Sequence, residues 1–315
     1  IEMSIALGGD AMDGYTISQW VLFFLFYFFF GWCIESTFVS CRTRKLVNRG
    51  FLNGPVIPIY GFGAIAILFA TLPVRTHPVA VFFLGMIAAS VLEYFTGMAM
   101  EAIFKVRYWD YSDNFMNLNG HICLFTSLCW GALSVVLVEW IHRGVERVIL
   151  GLPDSVSQLL SLILSGIFLA DLAVSLKTAL DLRNLLEQLE AYSEKAKEEA
   201  RQLQERMAEH MEQSRERFLE KLPDGGEALQ KRIESWEQAA ERWEQSETVA
   251  KLRADLAAWK ARREQAREGF RQRMTLDKRL LLRNNPTARS KRYGEQLRFL
   301  RQRMYEEYLE RKKKN

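Results

Sequence analysis

The sequence lacks the motifs of several well-defined classes of enzyme and binding protein. It has only four cysteines, at positions 33, 41, 123 and 129, and no CxxC pair, so we expect buried thiols rather than a redox or zinc site. No GxxxxGK[ST] phosphate loop occurs, which excludes ATP hydrolysis of the P-loop kind by this chain. Basic and aromatic residues do not alternate in a stacking surface, and we therefore predict no nucleic-acid partner. We predict no cofactor either.

Charge is divided unevenly along the chain. Up to Leu176 there are 9 Lys and Arg against 12 Asp and Glu, whereas the remainder holds 33 of the 42 basic and 26 of the 38 acidic residues. The first half is apolar and aromatic, and the second is rich in Glu, Lys, Arg, Gln, Leu and Ala, as long helices and coiled coils are. We therefore predict an extracytoplasmic segment (1–16), a transmembrane domain (17–176) and a cytoplasmic helical domain (177–315).

Five apolar segments are candidates for membrane spans, each of which needs about 20 apolar residues. They cover residues 17–39, 58–72, 78–104, 122–141 and 156–176. The predicted fold class is all-α: a five-span transmembrane helical bundle followed by a long cytoplasmic antiparallel helical hairpin or coiled coil. The second span is short, and the first is too long for the core of a signal peptide.

Basic residues predict the orientation of these spans. The connections after the first and third spans contain six Lys and Arg, and the alternate connections contain three. Because basic loops face the cytoplasm, we place the N-terminus outside and the C-terminus inside a bacterial plasma membrane that the chain crosses several times.

The second half has apolar residues at alternating steps of three and four, which is typical of coiled coils. The sequence Pro-Asp-Gly-Gly at 223–226 and the sequence Asn-Asn-Pro at 284–286 predict breaks. We expect an antiparallel hairpin that turns at 223–226, with Trp236, Trp243 and Trp259 in its seam. This domain could dock a separate ATPase subunit or another cytoplasmic protein, and the chain could form a homo-oligomer.

Residues 48–63 are the most unusual stretch, because four glycines, two prolines, two asparagines and an arginine separate two apolar segments. Irregular backbone at membrane depth is tolerated only where protein or a water-filled cavity covers it. Pro58 suits the first position of a helix, and Asn119 could cap the fourth span. The positive ends of both helices, with Arg49 nearby, would favour an anion such as phosphate or carboxylate.

Acidic residues lie inside the predicted membrane segments, where ionisable groups are costly and usually face a partner or a cavity. Ser90, Glu93, Gly97 and Glu101 share one stripe of the third span. Together with the two cytoplasmic loops they give the candidate ligand-binding residues Glu35, Asn48, Arg49, Asn53, Glu93, Glu101, Arg107, Trp109, Asp110, Tyr111, Asn117, Asn119 and His121. These residues could instead only brace the bundle. Glu35, Glu93, Glu101 and His121 match no known metal signature, and we predict no metal.

Several blocks resemble a bacterial family named as putative type IV ABC-transporter permeases. They are Asn48–Pro55, Pro58–Gly61, Leu92–Tyr94, Met100–Glu101, Trp109–Ser112, Asn117–Gly120, Arg279–Pro286 and Lys291–Tyr293. His121 departs from the pattern, in which arginine is expected, and this argues against a permanently charged group there. The resemblance implies transport by a permease component that would need a separate ATPase.

Three functions are consistent with these observations. The first is a transporter-like permease with a polar, acidic, cytoplasm-facing cavity for an anionic or polar ligand. The second is a membrane-embedded enzyme that acts on a lipid-linked or phosphorylated substrate at the inner leaflet, with Asp110 or Glu101 as the base and Arg49 as the phosphate clamp. The third is a membrane-anchored coiled-coil scaffold.

Overall fold

The computed structural model describes residues 14–44, 46–220 and 245–314, which are mostly helical. The helices are α1 (Ile17–Thr43), α2 (Pro58–Thr71), α3 (Pro78–Phe104), α4 (Leu124–Val136), α5 (His142–Leu150), α6 (Asp154–Glu220), α7 (Glu247–Gln272), α8 (Leu276–Asn284) and α9 (Gly294–Lys314). A 3₁₀ turn (Leu72–Val74) follows α2, and a π-helical segment (Leu137–Ile141) joins α4 to α5. Strands β1 (Asn117–Leu118) and β2 (Ile122–Cys123) form a small antiparallel ladder in which Leu118 pairs with Ile122.

Some predictions fall on residues that the structure does not describe. Most of the predicted segment 1–16, the predicted turn at 223–226, and both Trp236 and Trp243 lie outside the described residues. Lys45, one of the basic residues that set the predicted orientation, does so as well.

Four helical stretches are long and apolar enough to cross a membrane. They are Ile17–Thr43, Pro78–Phe104, Leu124–Leu150 and a segment of α6. Pro58–Val74 is also apolar but shorter, and at ~1.5 Å per residue it extends only about 26 Å, against about 40 Å for a helix of 27 residues. The prediction of apolar membrane helices is thus confirmed, while the count of five spans stays a prediction.

Local sequence signals explain where the helices begin and end. The Thr16 side chain accepts from the Gln19 amide, and the Gln19 side chain accepts from the Thr16 amide, which together form the capping box of α1. Pro58 occupies the first turn of α2, as predicted. The expected cap of the fourth span was wrong: Cys123 precedes α4, whereas Asn119 adopts a left-handed conformation (φ 55°) in the turn before β2.

The bundle core forms where α1, α2, α3 and α4 pack closely together. Phe23, Leu68 and Val81 are fully buried there. Small residues allow the close approach, since a Cβ added at Gly31 would lie 2.3 Å from the Tyr60 ring and one added at Gly85 would lie 2.2 Å from the Ser134 hydroxyl. Such small-residue contacts are how membrane helices pack without a hydrophobic driving force between them.

The chain divides into two compact units. One comprises Ile1–Asn184 with Thr275–Asn315, and the other comprises Leu185–Met274. The segment from Thr275 onward thus groups by its contacts with residues up to Asn184. Its place in a cytoplasmic domain stays a prediction.

Within the second unit, the contacts between α6 and α7 run in opposite order along the chain. Gln188 accepts from Arg273, Tyr192 donates to the Arg262 carbonyl, and Arg206 lies 3.7 Å from Asp255. The two segments are therefore antiparallel where they touch. The hairpin itself stays a prediction, because its turn lies outside the described residues.

Candidate functional site

Arg49 is the centre of loop 1, which we define as residues 44–57. Its Nε lies 3.4 Å from Glu35 Oε1 at the end of α1, and its backbone amide donates to the Ser36 hydroxyl. Its Nη1 donates to Asn285 Oδ1 across 3.2 Å, and its Nη2 donates to Thr287 Oγ1 across 3.2 Å. The guanidinium is therefore surrounded by acceptors of this chain.

Glu35 connects loop 1 to α2. While Oε1 faces Arg49, Oε2 accepts a hydrogen bond of 2.7 Å from the Tyr60 hydroxyl. Tyr60 also packs its ring against that of Trp130 on α4, with centroids 5.9 Å apart. Loop 1, α1, α2 and α4 thus converge around one carboxylate.

The asparagines of loop 1 fix the loop itself. Asn48 accepts from the Trp32 indole and donates to the Asn53 carbonyl. Asn53 donates through both its amide and its side chain to Asp171 Oδ1, each across 3.2 Å, and the Gly54 amide donates to Asp171 Oδ2 across 2.8 Å. Asp171 lies on α6, so this carboxylate ties the loop to the last apolar helix.

A segment far along the chain, residues 284–290, contacts both of the polar loops that were predicted to face the cytoplasm. Asn285 is buried and donates to the Gly50 carbonyl of loop 1 across 2.8 Å. The Arg107 and Arg289 backbones exchange two hydrogen bonds of 2.7 and 2.9 Å, which attach the segment to loop 2, defined as residues 105–121. The Ser290 hydroxyl donates to the Lys105 carbonyl. Residues 284–290, which we call the strap, therefore contact both loops.

Glu93 is the most deeply placed of the predicted acids, with 5% of its surface exposed. Its Oε1 accepts from the Tyr111 hydroxyl across 3.2 Å, and its Oε2 accepts from the Trp130 indole across 2.8 Å. Both donors are neutral. Among the residues that the structure describes, no Lys, Arg or His lies within ion-pair distance of this carboxyl group.

Tyr111 belongs to loop 2 and reaches into the bundle to meet Glu93. Burial raises the pKa of its hydroxyl, and the negative charges of Glu93 and Glu35 raise it further. Both carboxylates are therefore within electrostatic reach of one phenol. Glu35, Tyr60, Glu93, Tyr111 and Trp130 form what we call the acid–tyrosine centre.

Glu101, Arg107, Asp110 and His121 form a separate ionic cluster. Arg107 Nη2 lies 2.7 Å from Glu101 Oε2, and its Nη1 lies 3.3 Å from Asp110 Oδ1. His121 Nε2 approaches the same Glu101 oxygen at 3.3 Å. The buried Arg107 side chain thus lies between two carboxylates, and its charge is compensated within loop 2 and α3.

The two titratable groups of loop 2 respond to different surroundings. Burial lowers the pKa of His121, the positive charge of Arg107 lowers it further, and Glu101 acts in the opposite direction. For Asp110, burial opposes ionisation, but hydrogen bonds from Ser112 and the charge of Arg107 outweigh burial and lower its pKa. The neutral form of the His121 imidazole and the ionised form of the Asp110 carboxylate are therefore both favoured.

The remaining predicted residues of loop 2 shape the loop. Trp109 donates its indole N–H to the His121 carbonyl across 3.0 Å. Asn117 donates to the Ser112 and Asn114 carbonyls, and Asn119 donates to the Tyr94 hydroxyl. Asn117 and Asn119 are both exposed, the first in β1 and the second in the turn that follows it. Their side chains donate to residues outside the acid–tyrosine centre.

The predicted residues therefore separate into a loop 1 group, the acid–tyrosine centre and the ionic cluster of loop 2. The Arg49–Tyr108 contact, in which Arg49 Nη2 donates to the Tyr108 carbonyl across 3.5 Å, joins the two loops.

A crevice between loop 1, α6 and α8 is too narrow to hold a water molecule. In the described ranges, no three His, Cys, Asp or Glu side chains come together as metal ligands would.

Sequence reasoning missed four important members: Tyr60, Trp130, Asp171 and Asn285. Asp171 could have been found, because it is an ionisable residue inside a predicted span. Asn285 was noted as part of a helix break and of a family block, not as a site residue. Tyr60 lies in the unusual stretch 48–63 but was not singled out there, and Trp130 carries no signal of its own, since aromatic residues are frequent throughout the apolar half.

Comparison with known proteins identifies a family that part of the chain matches. Residues 22–176 match the model of the family described as "Putative ABC-transporter type IV". No curated protein and no solved structure matches the chain. The matched range contains loop 1, loop 2 and the acid–tyrosine centre, but not the segment 284–290. The segment 22–176, just under half of the chain, therefore belongs to the "Putative ABC-transporter type IV" family.

Proposed function

We propose that this chain is the membrane component of a transporter, and that its acid–tyrosine centre receives a polar group or a proton of the transported substrate. Glu93 carries the proposal. A carboxyl group with 5% exposure and two neutral donors has no cation to stabilise its charged form among the described residues. Ionisable groups inside membranes are expensive, and those that occur there often mark a substrate, ion or proton path.

The charges favour a neutral polar or protonable ligand over an anion. Arg49 already contacts Glu35 and the acceptors of Asn285 and Thr287, and Arg107 already contacts Glu101 and Asp110. An anion would have to displace these partners and would meet the carboxyl group of Glu93. A hydroxyl, an amine or a proton would meet an available acceptor.

The remainder of the proposal follows from the sequence. The chain crosses a bacterial plasma membrane five times, with its N-terminus outside and loops 1 and 2 in the cytoplasm. Because the sequence contains no P-loop, transport driven by ATP requires a separate ATPase subunit. The helices of residues 185–274, completed as a hairpin, would dock that subunit.

The enzyme hypothesis has weaker support. Glu101, one of its two expected bases, already lies 2.7 Å from Arg107. Asp110, the other, accepts hydrogen bonds from the Ser112 amide, the Ser112 hydroxyl and Arg107. These bonds hold the carboxylate as an acceptor for the loop, and its lone pairs are largely occupied.

Reconstitution tests the proposal. The purified full chain would be placed in liposomes containing a pH-sensitive dye, with a panel of hydroxylated, amino and neutral polar solutes outside. We expect Glu93→Gln to reduce solute-dependent proton or solute flux at least about tenfold, as loss of a proton-transfer group does elsewhere. Glu209→Gln, on the exposed surface of α6, serves as the matched control and should keep full flux. Equal flux in Glu93→Gln and wild type would overturn the assignment of this centre.

A further inference from the structure

A second polar region lies at the other end of the bundle. An open cleft of about 740 Å³ is formed by the end of α2, the start of α3 and the segment from Val138 to Leu150. α1 and α3, with 27 residues each, begin beside this cleft and end at loops 1 and 2, so about 40 Å separates the two regions. The cleft therefore has no residue in common with the acid–tyrosine centre.

Positive charge exceeds negative charge in the cleft, where Arg75, Arg143 and Arg147 face Glu139 and Glu146. Glu139 already lies 2.6 Å from Arg143, and Glu146 accepts a hydrogen bond from the Tyr15 hydroxyl. The guanidinium groups of Arg75 and Arg147 have no side-chain partner in the described part of the chain. The guanidinium groups of Arg75 and Arg147 are thus available to a ligand in the cleft.

The floor of the cleft is buried and polar. His142 is 2% exposed, and its Nδ1 and Nε2 lie 2.8 and 3.4 Å from the hydroxyls of Tyr27 and Tyr15. Arg75 acts electrostatically on Tyr15 as well. Arg75, which follows α2, and Tyr15, which precedes α1, are therefore close to the same floor.

The helix that forms one wall is irregular at this point. The amide of His142 donates to the Leu137 carbonyl, five residues earlier, so that Leu137–Ile141 is a π-helical segment. Such bulges occur mostly as single turns within α-helices, and frequently at functional sites. Here the bulge carries Glu139 and immediately precedes His142.

We propose that this cleft binds an oxyanion, either the phosphate or the carboxylate of a small molecule. A guanidinium presents parallel N–H donors that match both groups, and the cleft has the volume of an ordinary small-molecule site. Because the cleft lies at one end of the apolar helices, the oxyanion could come from solution or from a lipid headgroup. The assignment is independent of the role of Glu93.

Binding to the purified full chain in dodecyl maltoside, a detergent without phosphate, tests the proposal and separates the two sources. The probes are inorganic phosphate, succinate and short-chain phosphatidylglycerol, each titrated at constant ionic strength while the thermal unfolding midpoint is followed. A saturable rise with phosphate or succinate identifies a soluble oxyanion. A saturable rise with phosphatidylglycerol alone identifies a lipid headgroup. Absence of a saturable rise with all three probes overturns the proposal.

Substitutions locate the site. Arg75→Gln and Arg147→Gln should each weaken binding at least about tenfold, as expected when a charge-assisted hydrogen bond is lost. Arg42→Gln, an exposed arginine in the last turn of α1 at the opposite end, should bind as the wild type does. Should a glutamine variant not fold, Arg75→Lys and Arg147→Lys keep the charge but lose the fork, and they should bind more weakly. Wild-type affinity in the folded cleft variants would overturn the proposal.

Discussion

Tyr111 donates a hydrogen bond of 3.2 Å to Glu93, and this contact joins an irregular loop to a carboxyl group buried in a membrane helix. The Trp130 indole on α4 donates to the other oxygen of the same group. A buried carboxyl group is thus satisfied entirely by neutral donors, one of which moves with loop 2. A change in loop 2 that displaces Tyr111 would therefore change the hydrogen bonding of Glu93.

Replacing Tyr111 with phenylalanine tests this connection. Tyr111→Phe removes one donor and leaves Glu93 Oε1 without it, and we expect the free energy of unfolding to fall by about 1–3 kcal/mol. Titration with sodium dodecyl sulfate in mixed micelles measures that change. Tyr305→Phe, on the exposed surface of α9, removes the same hydroxyl without a buried partner and should alter stability by no more than about 0.5 kcal/mol. Equal effects of both substitutions would contradict a role for the Tyr111–Glu93 bond.

Arg49 and Asn285 form the contact between loop 1 and the segment 284–290. Asn285 accepts from Arg49 and donates to the Gly50 and Leu281 carbonyls, so Asn285→Ala leaves several buried groups without partners. We expect a loss of about 2–4 kcal/mol, from two to three unsatisfied groups at the usual cost each. Faster cleavage by trypsin within residues 279–292 should accompany it.

A double-mutant cycle distinguishes this contact from two independent losses. The free energy change of the double variant should differ by about 0.5–3 kcal/mol from the sum of the changes caused by Arg49→Ala and by Asn285→Ala. Differences of this size are usual for residues that share a network. Pairing Arg49→Ala with Gln302→Ala, which lies on α9 and contacts Glu306, provides the additive control. Strict additivity for Arg49 and Asn285 would show that the strap does not depend on their contact.

The sequence predicted the helices better than it predicted the contacts of the site. Hydropathy alone gave Pro78–Phe104, because both ends of that helix coincide with a change in polarity. The helices extend beyond the predicted first and fourth spans, since α1 continues to Thr43 and the α4–α5 stretch continues to Leu150. Those extensions are amphipathic or polar, and helical hydrogen bonding continues through them without an apolar signal.

Pairing at the site depends on residues far apart in the chain, which periodicity cannot reveal. Arg49 was expected to meet an anion, yet its partners include Asn285, more than 230 positions away. Glu93 and Glu101 were expected on one stripe, and they have separate partners: aromatic donors for the first, and Arg107 for the second. The kinds of residue could be predicted from the cost of charge in a membrane, but their pairing required the fold.

Gly120 illustrates a backbone requirement that can be tested directly. Its φ is +75°, and a Cβ there would lie 2.4 Å from the Ser112 hydroxyl and 2.6 Å from Arg107 Nη1. Gly120→Ala should therefore cost at least about 1–2 kcal/mol from the left-handed conformation alone, with further loss from displacement of the ionic cluster. Gly166→Ala, in α6 with no atom within 4 Å of the new methyl group, should instead stabilise the chain by up to about 1 kcal/mol. Comparable destabilisation by both would argue against a special role for Gly120.

His121 predicts how stability changes with pH. Its pKa in the folded chain lies below the ordinary value of 6.5, because it is buried and lies near Arg107, so the unfolded state binds more protons at mildly acidic pH. The contribution of His121 to the free energy of unfolding should thus be fully present above pH 6.5 and should fall as the pH decreases below that value. Asp110 does not contribute in this range, since its pKa is lowered from 3.8 and its own stabilisation is lost only under more acidic conditions.

The measurement is the thermal unfolding midpoint in detergent between pH 8 and pH 5. Subtracting the curve of His121→Gln from that of the wild type should leave a difference that grows as the pH falls below 6.5, since glutamine binds no proton in either state. His77→Gln, an exposed histidine before α3, should retain the wild-type slope. Because Glu101 lies 3.3 Å from His121 and favours the imidazolium, Glu101→Gln should steepen the loss. A His121→Gln curve parallel to that of the wild type would mean that another group controls the acid limb.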